Sequence, residues 1–346
     1  MTTPTDFSEV PVVDVSALLR DDPRERQRVA QELGRAAREV GFLQVTGTGI
    51  DPALFADLLR VTRAFFDLPY EVKMRTYIGR SRNHRGYVPV GEEVFSGGSV
   101  DLKEAFDLGL DLPADDPDHL AGRMLGPNQW PDVPGFAAAC TAWYEAVMAL
   151  GRALLRGFAV ALGESADVFD GYVTKPPSQL RLIHYPHDPH AVDSVGIGAH
   201  TDYECFTILK PTAPGLEVLN GAGTWVDVPP RPDALVVNIG DMLETWTNGA
   251  FVATTHRVRK VTEERWSFPL FFNVDHHTVV APLPQFVRPG EPVRAPLVAG
   301  EHLFAQTAQS FTYLKNRIAS GELVLPEGSL APSSFGQEAR HGAAPS

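Results

Sequence analysis

Between residues 178 and 284 the chain is cut into eight short apolar segments, and that punctuation leaves few folds open. They read SQLRLIHYP, IGAHTDYECFTIL, LEVLN, TWVDVPP, ALVVNIGD, AFVATTHRVRKV, RWSFPLFFNVD and TVVAPLP, separated largely by Pro, Gly and charged residues. Segments this short and rich in β-branched residues predict strands of a sandwich or barrel, with a jelly roll the natural arrangement.

The texture before them is mixed. VPVVDVS (10–16) and GFLQVTG (41–47) read as strands. In 23–40, Val29, Leu33, Ala36, Ala37 and Val40 recur at helical spacing with charges opposite. Asp51-Pro52 opens a second helix as an N-cap acid followed by Pro at the first helical position. Residues 134–163 form the longest helical run, 79–101 a loop with a short strand, and 300–318 a last helix. A tail rich in Gly, Pro, Ala and Ser (327–346) is expected to fray. The expected division is an N-terminal helical and mixed region (1–177) packing on a jelly-roll core (178–298), then a C-terminal helix and tail (299–346).

Composition narrows the partners. With 44% apolar residues the 346-residue chain can bury a sizeable core, so a disordered or fibrous class is excluded. A formal net charge of −13 with no basic block argues against nucleic acid and anionic membrane, leaving small molecules. Two cysteines without a CxxC motif fit a reducing cytoplasm. No run of about 18 apolar residues is present to span a bilayer, and the N-terminus lacks the pattern of a signal peptide. The expectation is a cytoplasmic monomer or weak homo-oligomer.

One segment carries chemistry. In GIGAHTDYECFTIL, His200 and Asp202 stand two residues apart. On a strand such residues share a face, about 6.6–6.8 Å apart. His256, in TTHRV, offers a third ligand from a later strand-like run. Two His and one carboxylate suit a non-haem Fe(II) centre with positions left open. A His-X-Asp pair also arises by chance about once in a chain with eleven histidines, and a hydrogen-bonded core histidine would look the same. Further along, Arg265 and Ser267 repeat the i, i+2 spacing. If 256–260 and 265–269 form a hairpin, they share a face with His256. A buried Arg there needs an anion, either a ligand carboxylate held with help from the Ser hydroxyl or an internal acid.

Taken together, HTD (200–202), His256, RWS (265–267) and NIGDMLETWTNG (238–249) resemble the iron(II)/2-oxoglutarate-dependent dioxygenases of the isopenicillin N synthase-like group. VPVVDVS, GFLQVTGTGI, RGYVPVGEE, DLKEAFDLG and PLFFN…APLP extend the resemblance over nearly the whole chain. It implies a mainly β fold with flanking helices and a double-stranded β-helix (jelly roll) core. It implies that His200, Asp202 and His256 bind Fe(II), and that Arg265 and Ser267 hold the distal carboxylate of the co-substrate 2-oxoglutarate. Tyr185 would add a hydroxyl to a co-substrate or substrate carboxylate. The implied reaction consumes O2 and hydroxylates, desaturates or cyclises a small molecule, an amino acid or a specialised metabolite such as an antibiotic precursor. Arg85, Tyr87, Phe106, Trp246 and Phe272 are pocket-wall candidates by position.

The chain departs from the group's pattern in two places. GTGI (47–50) replaces the usual Asn-His-Gly-Ile, and Glu204 and Cys205 replace small or aliphatic residues after HTDY. If strand alternation continues through 200–206, Glu204 faces the reaction chamber and favours a cationic substrate. Members that use no 2-oxoglutarate apply the Arg-X-Ser pair to the substrate's own carboxylate, so a co-substrate-free oxidase is one rival. A non-catalytic jelly-roll binding protein is the other.

Overall fold

The computed structural model describes residues 4–20, 22–94, 103–186, 195–259 and 263–325. The expected frayed tail therefore lies outside the described residues, as does part of the 79–101 loop.

The elements run β1 (Val12–Asp14), α1 (Pro23–Glu39), β2 (Phe42–Thr46), α2 (Pro52–Phe66), α3 (Tyr70–Lys73), β3 (Gly86–Val88), β4 (Glu104–Gly109), α4 (Pro117–Leu120) and α5 (Phe136–Ala161). Then follow β5 (Gln179–Tyr185), β6 (Val195–His200), β7 (Phe206–Pro211), β8 (Leu216–Leu219), β9 (Trp225–Asp227), β10 (Leu235–Ile239) and α6 (Asp241–Trp246). The chain continues through β11 (His256–Arg259), β12 (Arg265–Phe272), β13 (Val279–Val280), β14 (Leu297–Val298), α7 (Ala299–Ser310) and α8 (Thr312–Ala319).

Local chemistry fixes the helices where the sequence predicts them. Asp22 accepts hydrogen bonds from the amides of Arg24 and Glu25 to open α1, and Asp51 accepts from Ala53 to open α2, each with Pro at the first position. The expected C-terminal helix is two, α7 and α8, interrupted at Phe311, which adopts an extended conformation (φ −88°, ψ 126°).

The strands form two facing sheets of a jelly roll. The larger has the order β1-β2-β10-β7-β12-β5-β4-β3, and the smaller β6-β11-β8-β9. Four strands from before residue 178 enter the larger sheet, so the boundary expected at 177/178 does not separate the helical region from the core. The expected hairpin between 256–260 and 265–269 does not form. β11 pairs with β6 and β8 in the small sheet, whereas β12 pairs with β5 and β7 in the large one. A tight hairpin would hold both strands in one sheet, and here the chain crosses between sheets instead.

Alternation on the large sheet sorts its side chains. Trp266, Phe268, Leu270 and Phe272 of β12, with Phe106 and Leu108 of β4, join the main core against α1, α2 and α5. The inward faces carry two smaller apolar clusters, one around Ile183, Ile197 and Val258 and one around Phe42, Leu216 and Val236. A cavity touches both.

Candidate active site

The cavity, about 770 Å³ with its open mouth, falls within the range usual for small-molecule sites. His200, Asp202 and His256 line it together with Arg265, Ser267 and Tyr185.

His200 ends β6 and His256 begins β11, directly opposite one another in the antiparallel register, with ring centroids 4.3 Å apart. Each ring is oriented by its Nδ1, which meets a backbone carbonyl: Gly198 at 2.8 Å for His200 and Thr254 at 3.2 Å for His256. That arrangement leaves both Nε2 atoms as lone-pair donors, the second-sphere pattern of metal-binding imidazoles. Asp202 completes the group. Its Oδ1 stands 3.6 Å from each Nε2, while its Oδ2 accepts a hydrogen bond from Asn238 Nδ2 at 2.7 Å and another from the Thr207 hydroxyl. The three ligand atoms all lie within 4.8 Å of one another, close enough to meet at one ion.

Electrostatics suit a cation here. Burial, reinforced by His256, lowers the pKa of His200 and keeps its imidazole neutral. Burial opposes ionisation of Asp202, but both imidazoles and the Asn238 and Thr207 hydrogen bonds outweigh it and hold the carboxyl below its ordinary range. Two imidazoles and one carboxylate, without thiolate, fit Fe(II).

Arg265 is fully buried. Its Nε donates to the Ala213 carbonyl at 3.3 Å, but Nη1 and Nη2 have no hydrogen-bond acceptor and no carboxylate pairs with it among the described residues. The guanidinium lies 4.8 Å from the ring centroid of Tyr185, its cross-strand partner on β5. Burial alone pulls its pKa down. A buried cation left this way is expensive unless an anion enters, and two parallel N–H groups beside the Ser267 hydroxyl match a carboxylate.

Six predicted wall residues do not line the cavity. Arg85 is fully buried elsewhere, its guanidinium donating to the carbonyls of Asn83, His84 and Met124. Tyr87 donates its hydroxyl to Glu104 Oε2 at 2.6 Å, and Phe106 packs on Phe65 and Phe136. Trp246 stacks on Phe169, and Phe272 on Phe206 against Gly151 of α5, because both face the helical layer.

Glu204 fails for a different reason. β6 stops at His200 and β7 starts at Phe206, so the residues between them bend and strand alternation does not reach 204. Its carbonyl accepts the Met242 amide at 3.1 Å, and its buried Oε2 has no hydrogen-bond partner. Burial, with Asp202 and Asp241 adding to it, pushes its carboxyl well above the ordinary range, so it is neutral. Arg181, another buried cation, pairs with Asp107 and Glu93 and not with Glu204.

Sequence reasoning missed the residues that hold Asp202. Asn238 and Thr207 face one another in the β10–β7 register, and only the NIGD string hinted at the first. It also missed the charged group of Glu93, Lys103 and Arg181 in the lining, whose strings were used only for the family resemblance or as a strand.

Comparisons with known proteins agree with this geometry. Residues 176–274 match the 2OG-Fe(II) oxygenase superfamily, and residues 10–133 match the N-terminal region described as non-haem dioxygenase in morphine synthesis. A homoarginine-6-hydroxylase of Glycine max is 35% identical, covering 90% of this chain and 99% of the relative. A 2-oxoglutarate-dependent dioxygenase of Talaromyces stipitatus is 33% identical, covering 79% of this chain and 89% of its own. Among solved structures, a 2OG-Fe(II) oxygenase family protein from Caulobacter crescentus superposes with a TM-score of 0.76 at 31% identity, covering 91% of this chain and 99% of that one. A full-length Neurospora crassa protein in complex with alpha-KG, another name for 2-oxoglutarate, superposes at 0.74 with 27% identity, covering 92% and 99%.

Proposed function

Since the chain belongs to the 2OG-Fe(II) oxygenase superfamily, we propose that His200, Asp202 and His256 are its iron ligands and that Arg265 and Ser267 anchor 2-oxoglutarate. The protein is an Fe(II)- and 2-oxoglutarate-dependent oxygenase acting on a small molecule. With Fe(II), 2-oxoglutarate and O2 bound, such a site oxidises a C–H bond of the substrate while 2-oxoglutarate becomes succinate and CO2. Hydroxylation is the outcome we assign, supported by relatives named as hydroxylases.

The observation that carries the residue assignment is the pairing of two features in one cavity: three convergent ligand atoms and a buried guanidinium with two unmatched N–H groups. The carbonyls of Gly198 and Thr254 fix the imidazoles, while Asn238 and Thr207 turn one oxygen of Asp202 inward. Arg265 and Ser267 receive the far carboxylate, with Tyr185 beside them. Apolar walls, including Ile183, Ile197, Leu209 and Val258, exclude water and direct reactivity to the substrate. Both cysteines are free and buried, which supports a reducing compartment such as the cytoplasm.

The test is substitution of each ligand. His200→Ala, Asp202→Ala and His256→Ala should each abolish iron-dependent succinate formation, with far-ultraviolet circular dichroism unchanged because the strands persist without an ion. Near-wild-type turnover in any of the three at saturating Fe(II) removes that residue from the assignment.

A further inference from the structure

The cavity wall carries charges that neither the ligand set nor the co-substrate anchor uses. Glu93, Lys103 and Arg181 all line it. Arg181 sits four residues before Tyr185 on β5, so it lies about 13 Å along the strand from the Arg265 end. Its Nε and Nη2 each contact an Asp107 oxygen at 2.7 Å, and its Nη1 contacts Glu93 Oε1 at 2.6 Å. The other Glu93 oxygen is 2.7 Å from Lys103 Nζ. The side chains of Glu93 and Lys103 are each only 3% exposed, and Lys103 is near enough for its charge to act on His200.

The charges balance in pairs: Asp107 behind the wall offsets Arg181, and Glu93 offsets Lys103. A buried ion pair is a poor source of stability, since apolar residues of like size serve as well or better. In a cavity wall it has another use. A ligand bearing both an ammonium and a carboxylate can insert beside the pair, carboxylate to Lys103 and ammonium to Glu93, and leave no charge unmatched. A ligand with only one of the two would strand a buried charge, which is costly. Ile183 and Ile197, which also line the cavity, suit an aliphatic body.

We propose that Glu93 and Lys103 are the recognition site for a zwitterionic headgroup, so that the primary substrate is a small molecule of amino-acid type. This rests on the oxygenase function above and specifies its substrate class.

The experiment uses the full chain with Fe(II), 2-oxoglutarate and a panel of free L-amino acids, each with its N-acetyl derivative and its carboxamide. Succinate release is the readout, and the visible band of the anaerobic Fe(II)–2-oxoglutarate complex is recorded in parallel. At least one free amino acid should stimulate succinate release, and its two derivatives should each lose tenfold or more in kcat/KM. Lys103→Met should shrink the preference for acid over carboxamide at least tenfold and leave the preference for amine over N-acetyl intact. Glu93→Gln should do the converse. These are ratios within one variant, so a general loss of stability does not move them. The proposal is overturned if the band forms but no free amino acid stimulates release, if derivatives serve equally well, or if the variants lower every compound by one common factor. Absence of the band in the wild-type protein instead overturns the oxygenase function, and this proposal with it.

Discussion

At the scale of single residues, hydrogen-bond partners rather than burial set one buried cation apart from another. Arg85 and Arg265 are both fully buried, but both terminal nitrogens of Arg85 meet backbone carbonyls while those of Arg265 meet none. Sequence alone cannot separate them, because the distinction lies in partners brought from elsewhere in the chain. Glu204 gives a test at this scale. Its folded-state pKa is raised by burial, so the folded protein holds a proton that the unfolded chain releases above its ordinary range. Stability is therefore lost as pH rises from about 4.5 toward the folded-state value. Glu204→Gln in the metal-free protein should melt higher than wild type at pH 8, with the gap closing near pH 4, as read by thermal denaturation. A gap of the same size at both pH values would show that Glu204 is not neutral in the fold. The convergence of His200, Asp202 and His256 was legible because His-X-Asp, a distant His and Arg-X-Ser are residue types that few folds would bury together. The hydrogen bonds from Asn238 and Thr207 to Asp202 were not, since neither type is diagnostic.

Secondary-structure elements explain where strand reasoning held and where it failed. The eight segments from 178 onward all contribute strands, because their punctuation is local. The failure lies at the connections. IGAHTDYECFTIL holds two strands in different sheets, and the bend between them places Asp202 while removing Glu204 from the cavity. That bend is held by the entry to α6. The amide of Asp241 donates to the Asp202 carbonyl at 2.8 Å, and those of Gly240 and Met242 donate to Cys205 at 2.9 Å and Glu204 at 3.1 Å. Gly240 is required by close approach, since a Cβ there would stand 2.2 Å from the Glu204 carbonyl oxygen. Gly240→Ala must therefore shift the bend, at a cost of about 1–3 kcal/mol. The variant should melt lower than wild type and bind Fe(II) more weakly, as judged by thermal denaturation and metal titration. Wild-type iron affinity in a folded Gly240→Ala protein would show that the bend does not set the position of Asp202.

Across the whole molecule, the two sheets divide the labour. The large sheet buries its outer face under α1, α2 and α5 and turns Arg265 and Ser267 inward. The small sheet supplies both histidines, and the bend that joins the sheets supplies Asp202. The proposed iron ligands and carboxylate anchor then face one cavity from opposite sheets, an arrangement a single hairpin could not provide. The central claim is that these two features bind Fe(II) and 2-oxoglutarate together. Its most direct test is an anaerobic titration of the protein with Fe(II) and 2-oxoglutarate, watching the weak visible charge-transfer band of the chelate. Wild type should develop the band, and Arg265→Ala, losing about 1.5–3 kcal/mol of charged hydrogen bonding, should need roughly ten- to a hundredfold more 2-oxoglutarate. No band in the wild-type protein, or a midpoint in Arg265→Ala equal to that of wild type, would contradict it.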